Sequence, residues 1–201
     1  MPSREREYRS MELRIAQRED GAEPSFFVEG HAATFEPYVL MTIDDVDYSE
    51  RIEPTAFDGA DLSDVVFRVD HEGPVYARTS AGTVEVWADE KGLAQRTNLG
   101  KTQRARELFA DIEAGNYPKM SFAFSVAEDE YDKATHTRVI KRIGKVYDVS
   151  PVSFPANPTT ELSGSTRDYF DGVIEAERAP EAETPHFSGN LKGETEWSSK
   201  K

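Results

Sequence analysis

The chain has 201 residues, with 38 acidic against 24 basic side chains, a formal net charge of −14 and no cysteine. That length suits one domain with an appendage, the missing cysteines exclude disulfide frameworks, thiol nucleophiles and cysteine-ligated zinc, and the acidity argues against direct contact with nucleic acid, which proteins bind largely through Lys and Arg. No apolar run approaches the roughly 20 residues that span a bilayer, and Met1-Pro2-Ser3-Arg4-Glu5-Arg6-Glu7 lacks the apolar stretch of a secretory signal, so a soluble intracellular protein with no membrane partner is expected.

Residues 1–10 read as a flexible N-terminal arm. The first strand is expected at 11–16, where Met11-Glu12-Leu13-Arg14-Ile15-Ala16 alternates apolar and charged side chains, and a second at 25–34. Residues 36–47 mix apolar side chains with a cluster of acids in no clear period and read as a mobile surface loop. Pro54 suits the first turn of a short helix and Asp58-Gly59 its end, so 55–57 is expected as a compact turn. Residues 64–70 return to strand. Strands at 82–88 and 93–99 flank Asp89-Glu90-Lys91-Gly92, which fits a hairpin reversal. A helix follows, with Thr102 as N-cap, Ala105, Leu108, Phe109 and Ile112 on one face, and Gly115-Asn116 as its stop.

Residues 120–126 alternate large apolar side chains (Met120, Phe122, Phe124, Val126) with small ones (Ser121, Ala123, Ser125), so one strand face leaves room beside Ser121. A polar link at 128–137 leads to a strand at 139–149, after which Pro151, Pro155 and Pro158 break regular pairing. The main domain is expected over 11–161. Residues 162–201 have the composition of a polar, disordered tail, with a transient helix at 169–178. Many short strands with one strong helix predict a mixed, mainly β fold: a β-barrel-like core with a few flanking helices.

Three separated positions carry chemistry. His71 closes the strand-like run Phe67-Arg68-Val69-Asp70-His71, Ser121 opens a strand, and Asp148 opens Asp148-Val149-Ser150-Pro151-Val152. A serine hydroxyl becomes a good nucleophile when an imidazole takes its proton, and a carboxylate fixes the imidazole tautomer, so the three groups together suggest a serine hydrolase. The plainer alternatives are a polar strand cap at His71, an ordinary small residue at Ser121, and a salt bridge from Asp148 to Arg142 or Lys145. His31 reads as a packed strand residue, His136 as a hairpin tip and His186 as part of the tail. A metal site from Asp70, His71 and Asp148 lacks paired histidines at helical spacing, and no glycine-rich phosphate loop is present, so neither metal nor cofactor is expected.

The segment Tyr48-Ser49-Glu50-Arg51-Ile52-Glu53-Pro54-Thr55-Ala56-Phe57, the Asp70-His71 pair, Met120-Ser121-Phe122-Ala123-Phe124, and Asp148-Val149-Ser150-Pro151-Val152 with Pro155-Ala156-Asn157-Pro158 together resemble the prohead proteases of tailed bacteriophages. The resemblance covers about 11–161. It implies a serine endopeptidase in the host bacterial cytoplasm, inside the assembling prohead. Such an enzyme cuts scaffold or the scaffolding segment of the major capsid protein, and often itself. It also implies a fold similar to that of herpesvirus assembly proteases, with dimerisation by analogy. His71 matches the family histidine and Ser121 the family nucleophile. The family position before Val-Ser is commonly Glu and is Asp148 here, while the herpesvirus relatives use a second histidine. The competing readings are a non-catalytic capsid-assembly or scaffolding module with an acidic tail, and a hydrolase of small molecules.

Overall fold

A computed structural model describes residues 6–15, 25–153 and 164–178. Within them the strands are β1 (Glu7–Ile15), β2 (Phe27–Thr34), β3 (Tyr38–Ile43), β4 (Val46–Ile52), β5 (Val66–Val69), β6 (Glu72–Arg78), β7 (Val84–Ala88), β8 (Gly92–Asn98), β9 (Lys119–Asp132) and β10 (Thr137–Val152). The helices are α1 (Gln103–Glu113) and α2 (Gly164–Arg178), with a 3-10 turn at Thr79–Ala81.

The long β9–β10 pair is the middle of the molecule. One mixed sheet runs β3-β4-β10-β9-β1-β2-β8-β7, and a second branch leaves β10 through β5 to β6. The fold is therefore mainly β, with mixed pairing and few helices. Its described strands form no closed barrel, because β3 and β7 end the path without pairing to each other. The sheet forks instead. β10 receives β4 in parallel along Thr137 to Ile140 and β5 in parallel at Asp148 and Val149, so two partners share one edge end to end. Irregularities in β10 between Ile140 and Asp148 separate the two stretches. The connecting chain follows this edge: Glu53 N donates to Ile140 O, Ile143 N to Ala56 O, and Asp61 N to Gly144 O. The Pro54-Thr55-Ala56-Phe57 segment thus fills the fork, with Ala56 and Phe57 buried in the main core.

Helix α1 forms for local reasons: the Thr102 hydroxyl accepts from Ala105 N, and Ala105, Leu108, Phe109 and Ile112 are buried. Gly115 takes the left-handed conformation that ends the helix. The β7–β8 turn is closed by Asp89, whose carboxylate accepts from Lys91 N and Gly92 N. Gly92 is required by close approach, since a Cβ there would lie 1.9 Å from Ala33 O.

Several expectations change. Residues 36–47 form the β3–β4 hairpin rather than a loop, because Asp44 and Asp45 occupy a two-residue turn at φ 52° and 62°, a conformation that short acidic side chains tolerate. The polar link at 128–137 is largely strand: β9 continues to Asp132 and β10 starts at Thr137. Pro151 lies within β10 and its carbonyl still accepts from Asp70 N. Strand β1 begins at Glu7, inside the stretch expected as an arm. Helix α2 lies in the stretch expected as a tail, and buries Phe170 and Ile174 against Leu40, Met41 and Tyr48. Residues 179–201 and the Pro155-Ala156-Asn157-Pro158 motif lie outside the described residues.

A buried ionic cluster ties strand β1 to β4, β10 and α2. Arg9 pairs with Glu50 at 2.5 Å and Glu7 at 3.0 Å, and Arg138 pairs with Glu7 at 2.7 Å and Asp129 at 2.7 Å. Tyr38 donates to Glu50, and Thr166 of α2 donates to Glu7. Burial pushes the Glu7 carboxyl up, but Arg9 and Arg138 outweigh it and leave the group below its ordinary value of 4.5. A depressed carboxylate adds stability above its unfolded value and loses it as pH falls through its folded value.

Removing one partner of such a cluster leaves a buried charge uncompensated. Arg138→Met is expected to lower the free energy of unfolding by about 3–5 kcal/mol in urea titrations at neutral pH. Its deficit relative to wild type should shrink on acidification below pH 4.5, as Glu7 protonates. A loss under about 1 kcal/mol at neutral pH would mean that the cluster is electrostatically slack.

Candidate active site

Strand register gathers the candidate residues on one face. Ser121 on β9 lies opposite Ser10 on β1 and Ser150 on β10, while Ala123 lies opposite Tyr8 and Asp148. Directly opposed residues share a face, so Tyr8, Ser121, Ala123, Asp148 and Ser150 occupy one side. Met120, Phe122, Phe124 and Val149 occupy the other, in the main core, where Phe122 and Phe124 stack with ring centroids 4.4 Å apart.

His71 arrives by a different device. Val69 pairs with Glu72, which leaves Asp70 and His71 as the two-residue turn of the β5–β6 hairpin, both left-handed at φ 47° and 59°. Two successive positive φ values define the hairpin turn that matches strand twist, and aspartate and histidine enter that region more readily than most residues. The parallel pairing of Val66 with Asp148 and Phe67 with Val149 carries this turn to the same end of β10 as the acid.

The three sequence candidates are brought together. His71 Nδ1 lies 2.6 Å from Asp148 Oδ1, and His71 Nε2 lies 2.7 Å from Ser121 Oγ. A carboxylate only accepts, so Nδ1 carries the proton and Nε2 is left to accept the serine hydroxyl. The Asp148 side chain is 2% exposed and that of His71 is 17% exposed, so the acid is dry while the imidazole remains reachable. The arrangement can move a proton from a serine hydroxyl to an imidazole whose cation is stabilised by a buried carboxylate.

The other readings of the neighbourhood fare unequally, and His136 alone stands where its reading as a hairpin tip puts it. The small face beside Ser121 is filled, since Ser121 and Ala123 are both buried. The Tyr8 ring lies over His71 at 4.4 Å, tilted by 56°. Arg142 and Lys145 do not approach Asp148; they pair with Glu128 and Asp61. Asp70 does not join His71 and Asp148 as a metal-binding set, because its carboxylate accepts from Ser153, and among the described residues no cluster of three His, Asp or Glu side chains could hold a metal ion. His31 is partly exposed and holds Asp89 at 2.8 Å, rather than packing in the interior. His136 sits in the β9–β10 turn, where its Nδ1 contacts Tyr131 Oη and Glu177, and His186 lies outside the described residues.

Sequence reasoning missed two contributors. Ser150 Oγ donates to the same Asp148 oxygen as His71, at 2.7 Å. The i, i+2 spacing of Asp148 and Ser150 on a strand is the signal that places both on one face. Tyr8 offers no signal, since it lies in the stretch read as an arm.

The caudovirus prohead serine protease family model matches residues 11–171. A curated relative, the prohead protease of Enterobacteria phage HK97, is 39% identical over 70 residues, a stretch that covers 34% of this chain and 31% of that protein. Among solved structures, the bacteriophage T4 capsid assembly protease aligns with a TM-score of 0.44 at 12% identity, covering 75% of this chain and 98% of that one.

Among the described residues, Ser150→Ala leaves the buried Asp148 oxygen with the imidazole as its one hydrogen-bond donor of the present two. The substitution is expected to cost about 1–3 kcal/mol of stability, measured by urea denaturation. An unfolding midpoint equal to wild type would show that the hydroxyl is dispensable to the acid.

Proposed function

The chain belongs to the caudovirus prohead serine protease family, and we propose that it is a serine endopeptidase of phage capsid maturation. In this reading it acts inside the assembling prohead on scaffold, or on the scaffolding segment of the major capsid protein, and trims its own chain. The observation that carries the reading is the continuous hydrogen-bonded series from Ser121 through His71 to Asp148, at 2.7 and 2.6 Å. A non-catalytic assembly module has no need of such a series on a face whose acid is dry and whose imidazole is open.

The chemistry is acyl transfer. Ser121 Oγ attacks a peptide carbonyl carbon while its proton passes to His71 Nε2. Asp148 holds the Nδ1 proton and stabilises the cation. The tetrahedral adduct collapses, His71 returns the proton to the leaving amine, and an acyl-serine remains. Water, deprotonated by the same nitrogen, then hydrolyses the ester and frees Ser121. Asp148 replaces the longer glutamate common in the family, and its position on β10 beside the hairpin supplies the reach that its side chain lacks. We read the forked sheet as a variant of the fold of herpesvirus assembly proteases, with an aspartate in place of the second histidine. That likeness bears on fold alone; the activity rests on the site.

The test is co-expression with the major capsid protein of the same phage. Wild type should yield a shortened capsid protein and a shortened form of its own chain by intact mass. Ser121→Ala and His71→Ala should yield neither, and Asp148→Asn should slow cleavage by about 10⁴-fold by favouring the wrong tautomer. Equal processing by wild type and Ser121→Ala would replace the peptidase with an assembly module.

A further inference from the structure

The turn that carries His71 is held from outside the triad. Both its residues sit in the left-handed region, where a side chain with a Cβ is strained, and neither is glycine. The hairpin is short, with β5 spanning Val66–Val69, and its own ladder is irregular between Phe67 and Val69. What fixes its tip is Asp70. The Asp70 Oδ1 atom accepts from Ser153 N at 2.8 Å, Oδ2 accepts from Ser153 Oγ at 2.7 Å, and Asp70 N donates to Pro151 O at 3.1 Å. Three bonds therefore tie the residue before the imidazole to the end of β10, the strand that also bears Asp148 and Ser150. Arg68 adds a brace across the hairpin by donating to Gly73 O at 2.7 Å.

We propose that Asp70 is a positioning residue for the proteolytic reaction: its carboxylate clamps the turn to Ser153 so that His71 is held in line between Ser121 and Asp148. The inference rests on the reading of His71 as general base. The carboxylate is exposed, so its bonds do not serve to satisfy a buried charge. Its placement matters because the imidazole has two partners to meet at once, and a tilt of the turn that shortens one contact lengthens the other. Misplacement of a reacting group by about 1 Å costs on the order of 10²-fold in rate.

Two substitutions separate the clamp from the backbone conformation. Asp70→Gly favours the left-handed turn more than aspartate does and removes both carboxylate bonds. Asp70→Asn tolerates the same turn, accepts from Ser153 N through Oδ1 and donates to Ser153 Oγ through Nδ2. With purified capsid protein as substrate, Asp70→Gly is expected to lose about 10²-fold in kcat at nearly unchanged KM, and Asp70→Asn to stay close to wild type. The low-field Nδ1 proton resonance of His71 in histidine-labelled protein should broaden or vanish in Asp70→Gly and persist in Asp70→Asn. Ser153→Ala keeps one of the two carboxylate bonds and should lie between them, which preserves the test should Asp70→Gly not fold. Wild-type kcat and an intact resonance in Asp70→Gly, or in Ser153→Ala where Asp70→Gly does not fold, would overturn the clamp. A His71→Ala variant that still cleaves would instead overturn the functional reading, while the His71 resonance in the Asp70 and Ser153 variants would continue to report on the clamp.

Discussion

The register of β10 is the constraint on which the site depends. This 16-residue strand fixes three things at once: which face of β9 meets it, where β4 ends along its edge, and where β5 begins. A slip of one residue against β9 would turn every side chain to the opposite face. The alternation of large and small residues from Met120 to Val126 penalises that slip heavily. Phe122 and Phe124 have a core to fill on one side, whereas the other side admits only serine and alanine beneath Tyr8 and the imidazole. The packing that drives folding and the geometry that aligns the three polar groups are thus two faces of one ladder.

The buried ions act on the same ladder through β1. Glu7 and Arg9 face the core side, and Tyr8 between them faces the site and covers His71. The partners of Glu7 and Arg9 come from β4, β10 and α2, so their pairing fixes β1 in translation along β9. Buried ion pairs are poor sources of net stability, because desolvation offsets most of their attraction. Their contribution here is register: charges that must find particular partners leave few alternative alignments for β1. Helix α2 closes the same cluster from outside, with the Tyr169 ring 4.4 Å from the Arg138 guanidinium.

What could be read from the sequence follows from how local each signal is. Helix α1 and the β7–β8 hairpin are specified by their own caps, periods and turn residues, and they stand within about two residues of where those signals place them. The β3–β4 hairpin is not legible, because Asp44-Asp45 as a left-handed turn looks like any acidic loop. Strand β6 is hidden by Gly73-Pro74, which signals a turn but is tolerated on a strand whose other edge carries no partner among the described residues. Order at Glu7 and in α2 is long-range: it depends on partners more than 100 residues away, such as Arg138 for Glu7 and Tyr48 for Glu177. In the site, His71, Ser121 and Asp148 stand out by residue type and by motif. The hand of the turn at Asp70-His71 does not, because a pair of positive φ values without glycine is enforced by the neighbouring strand rather than by the two residues themselves.

Two carboxylates compete for the imidazole, one adjacent in sequence and one 77 residues away, and the fold decides between them. Asp70 is exposed, and its oxygens are occupied by Ser153. Asp148 is buried, and its oxygen receives the ring N–H together with the Ser150 hydroxyl. In a dry surrounding a hydrogen bond to a carboxylate is stronger and better oriented than one in water, so the distant acid dominates the ring orientation. Both Asp70 oxygens are engaged by Ser153, so the ring N–H is left to the buried acid. The shorter side chain at 148 fits this arrangement. Its backbone lies on the strand beside β5, where Val66 is the register partner of Asp148, and from there a side chain of this length reaches the ring nitrogen at 2.6 Å.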